Sequence, residues 1–132
     1  MRPATLRGGV LLGVLLAGSA ALAQNGSAAL WPRGTRLDFG ELATRVEATD
    51  TLWLTNPRSA PFAVETIRAS CGCTAVDWPA APVSPGDTVA IPVAFRCTRG
   101  GGPVERHLDV WLTHLHRPER IVVAAICPPR GE

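Results

Sequence analysis

The chain has 132 residues, with thirteen Arg and no Lys against eleven acids, four Cys, twelve Pro and a formal net charge of +2. That length leaves room for one small domain with one core. The charge is too small and too dispersed for the basic footprint of a nucleic-acid binder.

Residues 1–23 read as a signal peptide. Arg2 and Arg7 open it without an acid, "GGVLLGVLLAG" is its apolar run, and Ala21-Leu22-Ala23 fits a small-residue cleavage site before Gln24. The run is shorter than the roughly 20 residues that a spanning helix requires. No later stretch is long enough, so no membrane span is expected after cleavage. Loss of Arg2 and Arg7 leaves eleven Arg against eleven acids, a formally neutral chain of 109 residues. The expected location is secreted or periplasmic.

Residues 24–34, small, polar and Gly/Pro-containing, read as a flexible lead-in. Residues 35–129 read as the domain. "TRLDFGEL" sets Leu37 and Phe39 on one side, and "DTLWLTN" sets Leu52 and Leu54 opposite Trp53. "PFAVETIRAS" shifts parity between Val64 and Ile67, which predicts a bend or bulge. "TVAIPVAFRC" keeps Val89, Ile91, Val93, Phe95 and Cys97 in phase. "ERHLDVWLTHLH" keeps Leu108, Val110 and Leu112 in phase, opposite Asp109 and Trp111. "RIVVAAIC" is the last strand, and a short one is expected around "AVDW". Period-two runs separated by "TNPRSAP", "SPGD", "TRGGGP" and "HRPE" predict an all-β, immunoglobulin-like antiparallel sandwich of about seven strands. Pro92 lacks an amide donor, so its strand needs an edge or a bulge there.

"LDFGEL", "TLWLTNPRSAPFAVETIRASCGCTAVDWP" and "VSPGDTVAIPVAF" resemble the bacterial domain-of-unknown-function family fifteen-seventy-three, which is similar to Hydin-type, Ig-like modules. The most specific parts are "SCGCT" at 70–74 and "PGDT" at 85–88. The resemblance implies an Ig-like fold and export, and no known activity. With the strands in the order it implies, those ending near 71, 97 and 127 finish at one pole, and Cys71, Cys73, Cys97 and Cys127 gather there.

Three uses of that cluster compete. Structural disulfides suit an exported chain with an even cysteine count. Cys97 then reaches Cys71 or Cys73 across the sandwich, and Cys127 takes the other. A Cys71–Cys73 bridge is less expected, because one intervening residue makes a tight ring, although Gly72 makes it conceivable. A thiolate site for Cu or Zn at Cys71 and Cys73 is the second use. The third is an exchange-active pair, which needs a lowered thiol pKa. His114 and His116 fall at the far pole, where, as alternate residues on one strand face, they could hold a metal, although two histidines without a third ligand more often form a solvated strand end.

Trp53 and Trp111 point outward by parity and are the partner-surface candidates, unless a loop or an Arg stem covers them. Trp78 is expected to plug the cysteine pole. Asn56 and Asp87 read as turn formers. No nucleophile–base pairing or phosphate loop appears, so no catalytic residue, metal site or cofactor is assigned and no enzyme is expected. The function expected is an exported, non-catalytic binding or accessory module. Its partner is another protein or a cell-envelope component, not nucleic acid. The alternative is a periplasmic protein that handles Cu or Zn through the cysteine cluster.

Overall fold

A computed structural model of the chain describes residues 26–43, 47–98 and 101–129. The expected leader, residues 1–23, lies outside them. One short helix, α1 (Gly26–Leu30), precedes seven strands: β1 (Arg36–Glu41), β2 (Ala48–Thr55), β3 (Val64–Ala69), β4 (Thr74–Val76), β5 (Thr88–Phe95), β6 (Gly102–Leu112) and β7 (Glu119–Cys127). They form a β-sandwich of two sheets, one ordered β1-β7-β6-β3 and the other β2-β5-β4. Pairing is antiparallel except between β1 and β7, which run parallel.

The alternation in the sequence becomes two inward faces. Leu52 and Leu54 from β2 and Ile91, Val93 and Phe95 from β5 meet Leu108, Val110 and Leu112 from β6 and Ile121 and Val123 from β7, all buried. Burying each such side chain is worth about 1.5–3 kcal/mol. Phe39 stacks on Phe95 with ring centroids 5.8 Å apart. The parity shift in β3 appears as a break in its register with β6 between Val64 and Thr66.

Pro92 sits in the middle strand of the three-stranded sheet, yet no hydrogen bond is lost. Its carbonyl accepts from the Asp77 amide at 3.4 Å, so its nitrogen faces the same side, where β4 has already ended at Val76. Toward β2 it lies opposite Thr51, whose amide is capped by the Asp50 side chain at 2.7 Å.

The structure differs from the sequence reading at the lead-in. Leu30 and Trp31 are buried, at 4% and 2% exposure. They belong to the core, so the packed domain starts before residue 35. A single apolar pair between Gly/Pro-rich flanks has no period to announce it.

At the pole opposite the cysteines, Asn56 follows β2 and is fully buried. Its Nδ2 donates to the carbonyls of Ala60 (2.9 Å) and Val83 (2.8 Å), and its Oδ1 accepts from the Arg58 amide (2.8 Å). Its own backbone is paired with the turn Ser84–Asp87: the Asn56 amide donates to the Asp87 carbonyl and the Gly86 amide to the Asn56 carbonyl. Pro85 sets the first corner of that turn, and Gly86, at φ 80°, supplies the left-handed second corner. Asn56 therefore joins two loops that are 27 residues apart in sequence.

Candidate functional site

The cysteine pole is assembled by backbone pairing. β3 ends at Ala69, and Ser70 clamps the next turn to β6: its amide donates to the His107 carbonyl at 2.9 Å, and its Oγ accepts from the His107 amide at 3.0 Å. Cys71-Gly72-Cys73 then turns the chain from one sheet to the other. The Cys73 carbonyl accepts from the Arg96 amide at 2.9 Å, and Thr74 pairs with Phe95. Cys97 lies one residue beyond Arg96. Cys127 ends β7 opposite Gly102. Four cysteines from three chain segments thus share one end of the sandwich.

Their pairing differs from the cross-strand pairing expected above. The bridges are Cys71–Cys73 and Cys97–Cys127, with Cα–Cα separations of 5.3 and 5.8 Å. Parity supplies the reason. Cys97 continues the inward row of Ile91, Val93 and Phe95, and Cys127 continues that of Ile121, Val123 and Ala125, so the two face each other between the sheets. Cys71 and Cys73 are left to each other, and the turn at Gly72 brings them together.

The two bridges do different work. By loop-closure entropy, the one spanning 30 residues stabilises the fold by roughly 3.5 kcal/mol. The one spanning 2 residues contributes roughly 1.2 kcal/mol on the same scale. Only the first ties one sheet to the other. Cys71 is half-buried, Cys73 is buried, and Gly72 between them is exposed, with no atom within 4 Å of where a Cβ would stand. The buried Thr74 hydroxyl lies 3.8 Å from the Cys71 sulfur and 4.0 Å from that of Cys73, within reach to donate its one proton to either. With all four sulfurs in bridges, thiolate ligation of Cu or Zn at Cys71 and Cys73 requires reduction first. Among the described residues, no group of three or more His, Cys, Asp or Glu is placed to hold a metal ion.

Trp78 lies beyond the end of β4, next to Asp77, whose amide reaches Pro92. Its side chain is partly buried and packs against the core. The expected positions of two histidines need correction. β6 stops at Leu112, so His114 and His116 lie in the following turn and share no strand face. His114 packs on Phe62, ring centroids 4.5 Å apart, and its Nδ1 is buried without a hydrogen bond. Burial pushes this imidazole below its ordinary pKa. The Arg58 charge acts in the same direction, and Glu119 opposes both.

The two outer faces of the sandwich contrast. On the four-stranded sheet, Arg36 of β1 pairs with Glu105 of β6 at 3.2 Å, straddling β7 between them. Asp109 takes two hydrogen bonds from Arg120, at 2.8 and 3.1 Å. These bonds hold its carboxyl below the usual carboxylate range against the opposing effect of burial. Trp111 stands half-buried in this face, opposite Thr66. On the three-stranded sheet, the outward row of β2 is Thr49, Thr51, Trp53 and Thr55. That of β5 is Thr88, Ala90, Pro92 and Ala94, and β4 adds Ala75. None of these side chains is charged, and the rows end at the cysteine pole in an ion pair between Arg96 and Glu47 at 3.4 Å. Trp53 is half-buried, and the Arg33 guanidinium lies 4.9 Å from its ring centroid, so this tryptophan is covered by an arginine. No helix among the described residues is long and apolar enough to cross a membrane.

Solved structures share the fold. A protein of unknown function from Porphyromonas gingivalis W83 matches with TM-score 0.63 at 15% identity, over 70% of this chain and 44% of that one. The CupB2 chaperone of Pseudomonas aeruginosa matches with TM-score 0.54 at 17% identity, over 70% and 53%. The VesB protease of Vibrio cholerae matches with TM-score 0.54 at 9% identity, over 70% and 30%. The chain therefore spans about half or less of each of these proteins, and the likeness is one of fold. Among curated proteins, none matches the chain in sequence. The family model described as "Protein of unknown function (DUF1573)" matches residues 32–126, from the residue after Trp31 to the residue before Cys127, and the chain belongs to that family.

Proposed function

We propose that this chain is an exported, non-catalytic binding module. Its partner, a protein or other component of the cell envelope, docks on the outer face of the three-stranded sheet. The observation that carries this reading is the uncharged stretch formed by the outward rows of β2, β5 and β4, whose charges are confined to Arg33 over Trp53 and to the Arg96–Glu47 pair at the cysteine-pole end, whereas the four-stranded face carries ion pairs along its middle. Depletion of charge with an aromatic near the centre is how the core of a protein interface departs from ordinary surface. Export is supported by the leader-like residues 1–23 and by two disulfides, which persist in oxidising compartments.

A photocrosslinking amino acid at position 90, in cells that express the full chain, tests the docking face. A discrete adduct is expected from position 90 and none from position 122 on the opposite face. Thr51→Glu, on the same face, should abolish the adduct while leaving the circular dichroism unchanged. An adduct from position 122 alone, or one from position 90 that Thr51→Glu leaves intact, would overturn the assignment of the face. Turnover by the purified protein that a point substitution abolishes without unfolding would overturn the non-catalytic reading.

A further inference from the structure

We propose that Cys71–Cys73 is an exchange-competent disulfide that accepts two electrons from an external dithiol while the sandwich stays folded. The inference does not rest on the docking face described above. It begins with the division of labour between the bridges. Cys97–Cys127 joins β5 of one sheet to β7 of the other, whereas Cys71–Cys73 spans a single residue inside one turn. Opening the small bridge releases almost no chain. The turn stays held on both sides, by Ser70 to His107 and by Cys73 to Arg96.

Access and chemistry point the same way. Each bridge pairs a half-buried cysteine with a buried one, so loop length separates them: a disulfide that the fold does not need belongs to the labile class, and one that closes a long loop between layers to the structural class. Gly72 is exposed with open space around it, and Cys71 is the less buried of the two sulfur residues. An incoming thiolate therefore attacks the Cys71 sulfur. A new sulfur–sulfur bond forms there, the Cys71–Cys73 bond breaks, and its electron pair leaves on the Cys73 sulfur. That thiolate lies within 4.0 Å of the Thr74 hydroxyl, which donates to it until a solvent proton arrives. The second thiolate of the same donor attacks the donor sulfur of the mixed disulfide and releases Cys71. The donor dithiol ends as a disulfide and the protein bridge as two thiols. Two electrons and two protons are transferred. The chemical class of the reductant is a dithiol, whether small or on a protein.

The test uses the full, oxidised chain without denaturant. It is equilibrated in graded dithiothreitol, quenched in acid, alkylated and mapped by peptide mass, with circular dichroism read in parallel. Cys71 and Cys73 are expected to become alkylated together at a thiol concentration at least tenfold below that needed for Cys97 and Cys127, with the spectrum unchanged at that point. Brief exposure to glutathione should place the trapped adduct on Cys71. Thr74→Val should slow opening threefold or more, and Thr74→Ser should restore it. Opening of both bridges in one step, opening of Cys97–Cys127 first, or an adduct on Cys73 would overturn the proposal. The order of opening is read on the unmodified protein, so it stands whether or not a Thr74 variant folds.

Discussion

Replacing Asn56 with alanine removes three hydrogen bonds from a fully buried side chain: to the carbonyls of Ala60 and Val83 and from the amide of Arg58. At about 1 kcal/mol each the loss is near 3 kcal/mol. The Val83 carbonyl keeps a second donor, the Phe62 amide, and Ala60 and Arg58 are exposed, so water can replace part of what is lost. These features hold the figure near 3 kcal/mol rather than above it. For a domain of this size that is a fall in Tm of about 12 °C or more. Urea unfolding followed by tryptophan fluorescence reads the change directly. Asn56→Asp sharpens the test. A carboxylate can still accept from Arg58 but presents negative oxygen to two carbonyls, so its cost at neutral pH should equal or exceed that of alanine and shrink in acid as the group protonates. A loss below about 1 kcal/mol for alanine, or an aspartate variant indifferent to pH, would refute the view that this amide locks the two loops.

Cys97→Ser with Cys127→Ser should cost roughly 3.5 kcal/mol, and the corresponding pair at 71 and 73 well under half of that, in the same urea titration. Trp31→Ala should cost about 3–5 kcal/mol despite lying outside the strands, since its side chain is 2% exposed; thermal unfolding by circular dichroism checks this. The folded state holds the His114 imidazole below its ordinary pKa, so the unfolded chain binds its proton first as pH falls. The stability this group contributes is complete above about pH 6.5 and is lost as pH falls from there through the lower folded value. His114→Phe should flatten that part of the stability–pH curve.

Where one residue's neighbours decide its place, the sequence was readable. Leu52 and Leu54, or Leu108, Val110 and Leu112, announce a buried face by alternation alone, and the slip between Val64 and Ile67 announces the register break in β3. Pro92 called for an edge or a bulge; it lies instead in a middle strand of unbroken register, just past the end of β4. The readings that failed depend on contacts between distant segments. The partner of Cys97 follows from which sheet holds β7, and nothing local to Cys97 encodes that. Asn56 does form a turn, through its local bond to the Arg58 amide; what the reading lacked is its distant bond to Val83. His114 and His116 were placed on a strand because the alternation runs past Leu112, although Leu115 already bonds back to Leu112 in a turn. At the candidate site, the gathering of cysteines followed from strand direction. The placement of Thr74 beside both sulfurs and the open space at Gly72 depend on how the turn packs, which no local pattern encodes.

The covalent tie between β5 and β7 makes the two layers behave like the arms of a clothes-peg, sprung at one end. Thermal gaping is suppressed where Cys97 meets Cys127 and grows toward the opposite mouth, where the Asn56 amide acts as the catch. Amide protons around Phe62 and Val83 should accordingly exchange through smaller excursions than those of Phe95 and Ala125, and the protein should come apart from the mouth inward.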